Sequence, residues 1–155
     1  MKLTILLLGQ TKDQFIAEGI ERYQKRIRNY LPLELVEINT RKIKSKDERT
    51  VIAAEHQLLE QSINQKSYRI ALDQTGVMLD SVMFSQRLQK LEMNGVKVAS
   101  FIIGGAFGLA EEQKEKADLL LSLSKMTFTH DLARLLLLEQ IYRSCTIVSG
   151  EKYHK

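Results

Sequence analysis

The chain has 155 residues, one cysteine, one proline and a formal net charge of +4, with 44% hydrophobic and 27% charged residues. That length suits a single domain, 1–155, able to bury about two-thirds of its unfolded surface without staples. With Cys145 alone, an internal disulfide and a thiolate-rich zinc site are both excluded, and a reducing cytoplasm is the expected location.

MKLTILLLG opens the chain with an apolar core of about seven residues, too short for a signal peptide with its cleavage site or for a membrane span. It reads as a buried strand, and polar QTKD then precedes a helix. Ile16, Ile20, Tyr23, Ile27 and Tyr30 recur at spacings of four, three, four and three, an amphipathic pattern that Pro32 is expected to end. The turn after this strand holds neither G-x-G-x-x-G nor G-x-x-x-x-G-K-[ST], which argues against a Rossmann dinucleotide site and a P-loop. Leu33 to Ile38 alternates as LELVEI, a strand with one wetter face, near a sheet edge.

The basic run TRKIKSKDERT leads into a helix reaching about Gln65, with Ile52, Leu59 and Ile63 along one stripe and His56 on its surface. YRIALD, Tyr68 to Asp73, is the next strand, ending at Gln74-Thr75-Gly76. Asp80-Ser81 caps a helix with Phe84, Leu88 and Leu91 that stops at Asn94-Gly95. A strand through Phe101, Ile102 and Ile103 runs into Gly104, Gly105 and Gly108, residues that permit positive φ and close backbone approach. A short helix in AEEQKEKAD, a strand from Leu119 to Leu123, SKMTFT, and a helix from about His130 to Cys145 complete the chain. Strands alternating with helices predict an α/β fold, a mostly parallel sheet with helices on both faces.

Parallel strands end along one edge, so three exits are expected to meet there: Leu72-Asp73 with Gly76, Gly104-Gly105 with Gly108, and Leu123 to Phe128. Leu72, Leu123, Met126 and Phe128 would line such a pocket as suits a purine and a thioether, and each also suits plain core packing. Lys25, Arg26 and Arg28, and Arg41, Lys42, Lys44, Lys46 and Arg49, form two basic clusters, fit for phosphate contacts or for a solvated surface. In the last helix Leu132, Leu135 to Leu138 and Ile141 are apolar nearly all round, more than one sheet face covers, which suggests a two-fold partner.

Six stretches, MKLTILLLG, ERYQKRI, YRIALDQTG, FIIGGAFG, SLSKMTFTH with LLLLEQIYR, and the terminal KYHK, together resemble the RlmH family of ribosomal RNA large-subunit methyltransferases, of the SPOUT class. The resemblance spans essentially the whole chain in order. It implies a C-terminal trefoil knot, a homodimer, S-adenosylmethionine as cofactor without a metal, and methylation at N3 of a pseudouridine in 23S rRNA of the assembled ribosome. Cofactor contacts would fall at Leu72, Gly104, Leu123, Ser124, Lys125, Met126, Thr127 and Phe128. Thr129 stands where the family commonly has proline, and threonine there still suits a helix cap.

An N3 proton must leave before that nitrogen attacks a methyl group, so the protein must supply positioning with a proton acceptor or a positive charge. His130, Arg143, Tyr153 and His154 are the candidate catalytic residues, with Arg134, Glu139 and Tyr142 nearby in sequence. Glu139 and Arg143 also suit a simple ion pair four residues apart, and Lys152 to Lys155 a frayed tail. A tRNA methyltransferase of the same class and a non-catalytic ribosome-binding factor are the two alternative functions.

Overall fold

Leu3, Ile5 and Leu7 point to one face of strand β1 (Lys2–Leu8) and Leu6 and Leu8 to the other, and all are buried, so β1 is covered on both sides. The structure, a computed structural model, describes residues 1–154; Lys155 of the terminal tail lies outside the described residues. After β1 come α1 (Gln14–Ile27), β2 (Leu33–Ile38), α2 (Glu48–Ser62), β3 (Tyr68–Met78), α3 (Ser81–Met93), β4 (Val98–Ile103), α4 (Glu111–Glu115), β5 (Leu119–Ser122) and α5 (His130–Val148). The strands form one sheet ordered β2-β1-β4-β3-β5, and every pairing is parallel. β2 lies at the edge, as its alternation predicts.

Side-chain oxygens of Asp13, Asp47, Asp80 and Thr129 accept from the backbone N–H three residues on, starting α1, α2, α3 and α5. Thr129 therefore caps α5 in place of proline. On one face of the sheet α1, α3 and α5 bury Ile20, Ile27, Phe84, Leu88, Leu137, Leu138 and Ile141 against Leu3, Ile5, Ile70 and Phe101. On the other, α2 brings Leu59 and Ile63 against Leu6, Leu8, Ala71 and Ile102.

Three expectations change. α1 ends at Ile27, well before Pro32, and Tyr30 lies in the turn that follows, where its ring meets Tyr142. β3 does not stop at Asp73: it bulges between Leu72 and Val77, both opposite Leu121, and then pairs again with β5 to Met78. Gly76 is thus part of the strand rather than an exit, and a Cβ there would lie 2.6 Å from the Leu120 carbonyl carbon. α5 lies between α1 and α3 on the sheet, with Leu137, Leu138 and Ile141 sealed from solvent and Leu132, Leu135 and Leu136 half-buried. Its all-round apolarity is met largely within the chain and does not by itself require a partner.

Replacing Ile141 with Ala removes core packing where α5 meets the sheet. Denaturant unfolding is expected to show a loss of about 2–5 kcal/mol with an unchanged denaturant slope.

Candidate active site

β4 ends at Ile103 and turns at once through Gly104, where backbone meets backbone. A Cβ on Gly104 would sit 2.6 Å from the Gly108 carbonyl carbon, and one on Gly105 would strike the Glu55 carboxylate. Of these three glycines only Gly108 has a positive φ, at 82°. Gly104 and Gly105 are required by close approach, not by backbone freedom. The Gly108 N–H donates to the Gly105 carbonyl at 3.1 Å, closing the loop.

Beside this loop, the β3 bulge and the segment after β5 complete a cavity of about 450 Å³. Ser124 shapes the latter segment: its carbonyl accepts from Ser122 Oγ and its Oγ from the Met126 N–H, both at 2.9 Å. Leu72, Gly104, Leu123, Ser124, Met126, Thr127 and Phe128 all line the cavity, so the three exits do meet; Lys125 of the expected set does not line it. Met126, 75% exposed, stands at the mouth. Apolar side chains with free backbone groups of a loop suit an adenine-sized ligand, and the Gly104 cradle is one that any side chain would fill.

Sequence reading missed Asp73 as a side chain of this wall, together with Lys114 of α4. Lys114 Nζ lies 3.2 Å from Asp73 Oδ2. Burial works to raise the Asp73 pKa, but bonds from the Thr75 hydroxyl and N–H and from Lys114 outweigh it and hold the carboxyl below its ordinary value. A strand ending in Asp is the only sequence signal for this; the pairing with Lys114 arises from tertiary folding.

The predicted catalytic residues separate into two places. His130, at the start of α5, lines the cavity, and its Nε2 lies 3.3 Å from Asp131 Oδ1. Arg143 is farther along the same helix, about 20 Å away at about 1.5 Å per residue. There it binds Glu139 at 2.6 Å, the expected ion pair, and its guanidinium lies 4.8 Å from the Tyr153 ring centre. Tyr153 is not frayed: it donates to Glu139 at 3.1 Å and packs on Tyr142. Burial first, then its contacts with Tyr23 and Glu139, push its phenol pKa well above the ordinary value. His154 is exposed beside it in sequence. Within one chain, none of Arg143, Tyr153 and His154 lines the cavity.

Arg134 is 1% exposed and is a structural clamp rather than a surface base partner. It donates to the Leu8 carbonyl at 2.6 Å and the Thr11 hydroxyl at 3.0 Å, and pairs with Asp131 at 3.1 Å, tying the β1 exit to α5. His56, expected on the surface, is half-buried with Nδ1 3.0 Å from Gln113 Oε1. Among the described residues no group of three or more His, Cys, Asp or Glu is arranged to hold a metal ion. No helix among them is long and apolar enough to cross a membrane.

The fold and its glycine-loop cavity agree with what comparison shows. A family model described as "Predicted SPOUT methyltransferase" matches residues 1–154, and the chain belongs to that family of methyltransferases. The fold is also that of a "probable methyltransferase" from Bordetella pertussis (TM-score 0.58, 12% identity, 93% of this chain and 96% of that one). A "probable methylase family protein" from Haemophilus influenzae shares it too (TM-score 0.56, 13% identity, 99% of this chain and 70% of that one). Closer in sequence are proteins named ribosomal RNA large subunit methyltransferase H. That of Desulfotalea psychrophila is 44% identical over the full length of both chains, and that of Trichlorobacter lovleyi 42% over 99% of each. Within the SPOUT family, these are the enzymes the chain groups with.

Because the folded Asp73 carboxyl is lowered, its contribution to stability is present above the unfolded value of about 3.9 and is lost as pH falls through the folded value. Chemical denaturation followed from about pH 5 downward is expected to show a shallower acid loss in Asp73→Asn than in the parent.

Proposed function

We propose that this methyltransferase uses S-adenosylmethionine to methylate N3 of a pseudouridine in 23S rRNA of the assembled ribosome, acting in the cytoplasm as a homodimer with residues 1–155 as one domain. The convergence of three strand exits on one cavity beside Gly104 carries this reading. The printed name of the relatives supports an rRNA acceptor. The trefoil knot implied by the family resemblance belongs to the same proposal.

Leu72, Leu123 and Phe128 would enclose the adenine, and backbone groups of Gly104 and of Ser124 to Thr127 would take its polar edge. When bound, the cofactor supplies an electrophilic methyl group on sulfonium. His130, at the wall of the cavity with Asp131 behind it, would accept the N3 proton of the target base. The N3 lone pair then forms the N–C bond, and the C–S bond breaks with its electrons on sulfur. No metal enters these steps.

Arg143, Tyr153 and His154 lie too far along α5 to serve the cavity of their own chain. A two-fold partner would bring them, with Lys25, Arg26 and Arg28, to the rim of the opposite cavity, where the cations would meet RNA phosphate. Lys25 is held by Glu21 at 2.7 Å, whereas Arg26 lies 5.4 Å over the Tyr142 ring centre beside this cluster.

Two experiments test the proposal. Purified chain with methyl-labelled S-adenosylmethionine is expected to label 23S rRNA in intact ribosomes and leave tRNA unlabelled, with mass spectrometry placing the label at N3. Labelled tRNA would favour the alternative acceptor, and calorimetry showing no cofactor binding would favour a ribosome-binding factor. Gly104→Val is expected to abolish both binding and transfer. In the second, His130→Ala and Tyr153→Phe are each expected to be inactive as pure dimers. Co-assembled dimers are expected to regain transfer, because one site then holds both native residues.

A further inference from the structure

A second cavity, of about 630 Å³, opens on the other side of the glycine loop, below the ends of β1 and β2. It shares Gly105, Ala106 and His130 with the cofactor cavity, so the wall between the two is backbone and a methyl group. Lys12 and Arg41, both exposed, stand among its lining with Glu37. So does Glu55, 9% exposed, whose Oε2 has no hydrogen-bond partner and is sealed from bulk water. The carboxylate lies against the Gly105 backbone, where a Cβ would collide with it. Burial raises the Glu55 pKa and the Gly105 N–H partly offsets that.

An acceptor buried without a donor is costly unless a ligand brings one. Pseudouridine is joined to its ribose through carbon, so it keeps an N1–H that uridine, bonded to ribose through N1, lacks. N1 and N3 lie on the same ring with one carbonyl carbon between them, so a group that holds N1–H leaves N3 free for the shared wall.

We propose that this second cavity receives the target nucleotide and that Glu55 selects pseudouridine over uridine by accepting its N1–H, while Lys12 and Arg41 take the adjoining phosphates. The inference rests on the acceptor reading above and deepens it. Uridine would leave the carboxylate unpaired, and sites built to bond a particular N–H reject analogues without it strongly.

The test compares kcat/KM on ribosomes that carry pseudouridine at the target with ribosomes that carry uridine there, for the parent enzyme and Glu55→Gln. The parent is expected to favour pseudouridine by about tenfold or more. Glu55→Gln is expected to lose about tenfold on pseudouridine and little on uridine, so that preference collapses. Thermal unfolding and calorimetric cofactor binding report whether the variant is folded. If it is not, the parent enzyme is assayed on particles reconstituted with N1-methylpseudouridine, where a comparable loss is expected. An equal fall on both ribosomes would assign Glu55 only to support of the Gly105 loop and overturn the proposal, as would full activity on the N1-methylated base. No transfer by the parent to either ribosome would instead sink the acceptor reading, and this one with it.

Discussion

The site depends on parallel pairing of β4 with β3, and of β3 with β5. Ile103 lies opposite Leu72 and Leu72 opposite Leu121, so the carboxyl ends of three strands reach one level. Each strand is buried on both faces, and a slip of one residue would turn its apolar set over, so the register is strongly fixed. The loops at the sheet's upper edge therefore inherit their positions from a rigid core, although they are far apart in sequence.

On that edge the glycine loop does two jobs at once. Gly104 brings the backbone against Gly108 and opens the cofactor cavity, while Gly105 lets Glu55 of α2 reach the backbone from the opposite side. His130 borders both cavities, and Arg134, one turn along α5, fixes the β1 exit through the Leu8 carbonyl and Thr11. Chemistry and scaffold are thus adjacent on the first two turns of one helix, while the far end of α5 holds the Glu139, Arg143 and Tyr153 cluster. That division is why a homodimer suits the proposal: it unites ends of α5 that a single chain keeps apart.

Much of this was legible in the residues. Apolar runs such as Leu3 to Leu8 and Phe101 to Ile103, and the caps at Asp80 and Asn94-Gly95, specify strand and helix locally, and seven of the eight expected cofactor residues line the cavity. Gln74-Thr75-Gly76 misled because its composition is that of a turn, whereas the chain bulges there and resumes pairing against β5. The all-round apolarity of α5 misled because α1 and α3 flank it within the chain. Glu55 left a signal that was not used: it lies between Ile52 and Leu59 at helical spacing, on the stripe that faces inward. Burial of a carboxylate there, like the Asp73–Lys114 pair, comes from elements distant in sequence and cannot be read from local pattern.

The claim on which the rest stands is that the three strand exits form one binding surface for the cofactor. Backbone amide chemical shifts recorded while S-adenosylhomocysteine is titrated into the protein test it most directly. The account predicts that the largest changes fall together at Leu72, Gly104 and Ser124 to Phe128, with one common dissociation constant. Changes centred instead on the groove between α3 and α5 near Leu88 and Cys145, or on only one of the three exits, would contradict it.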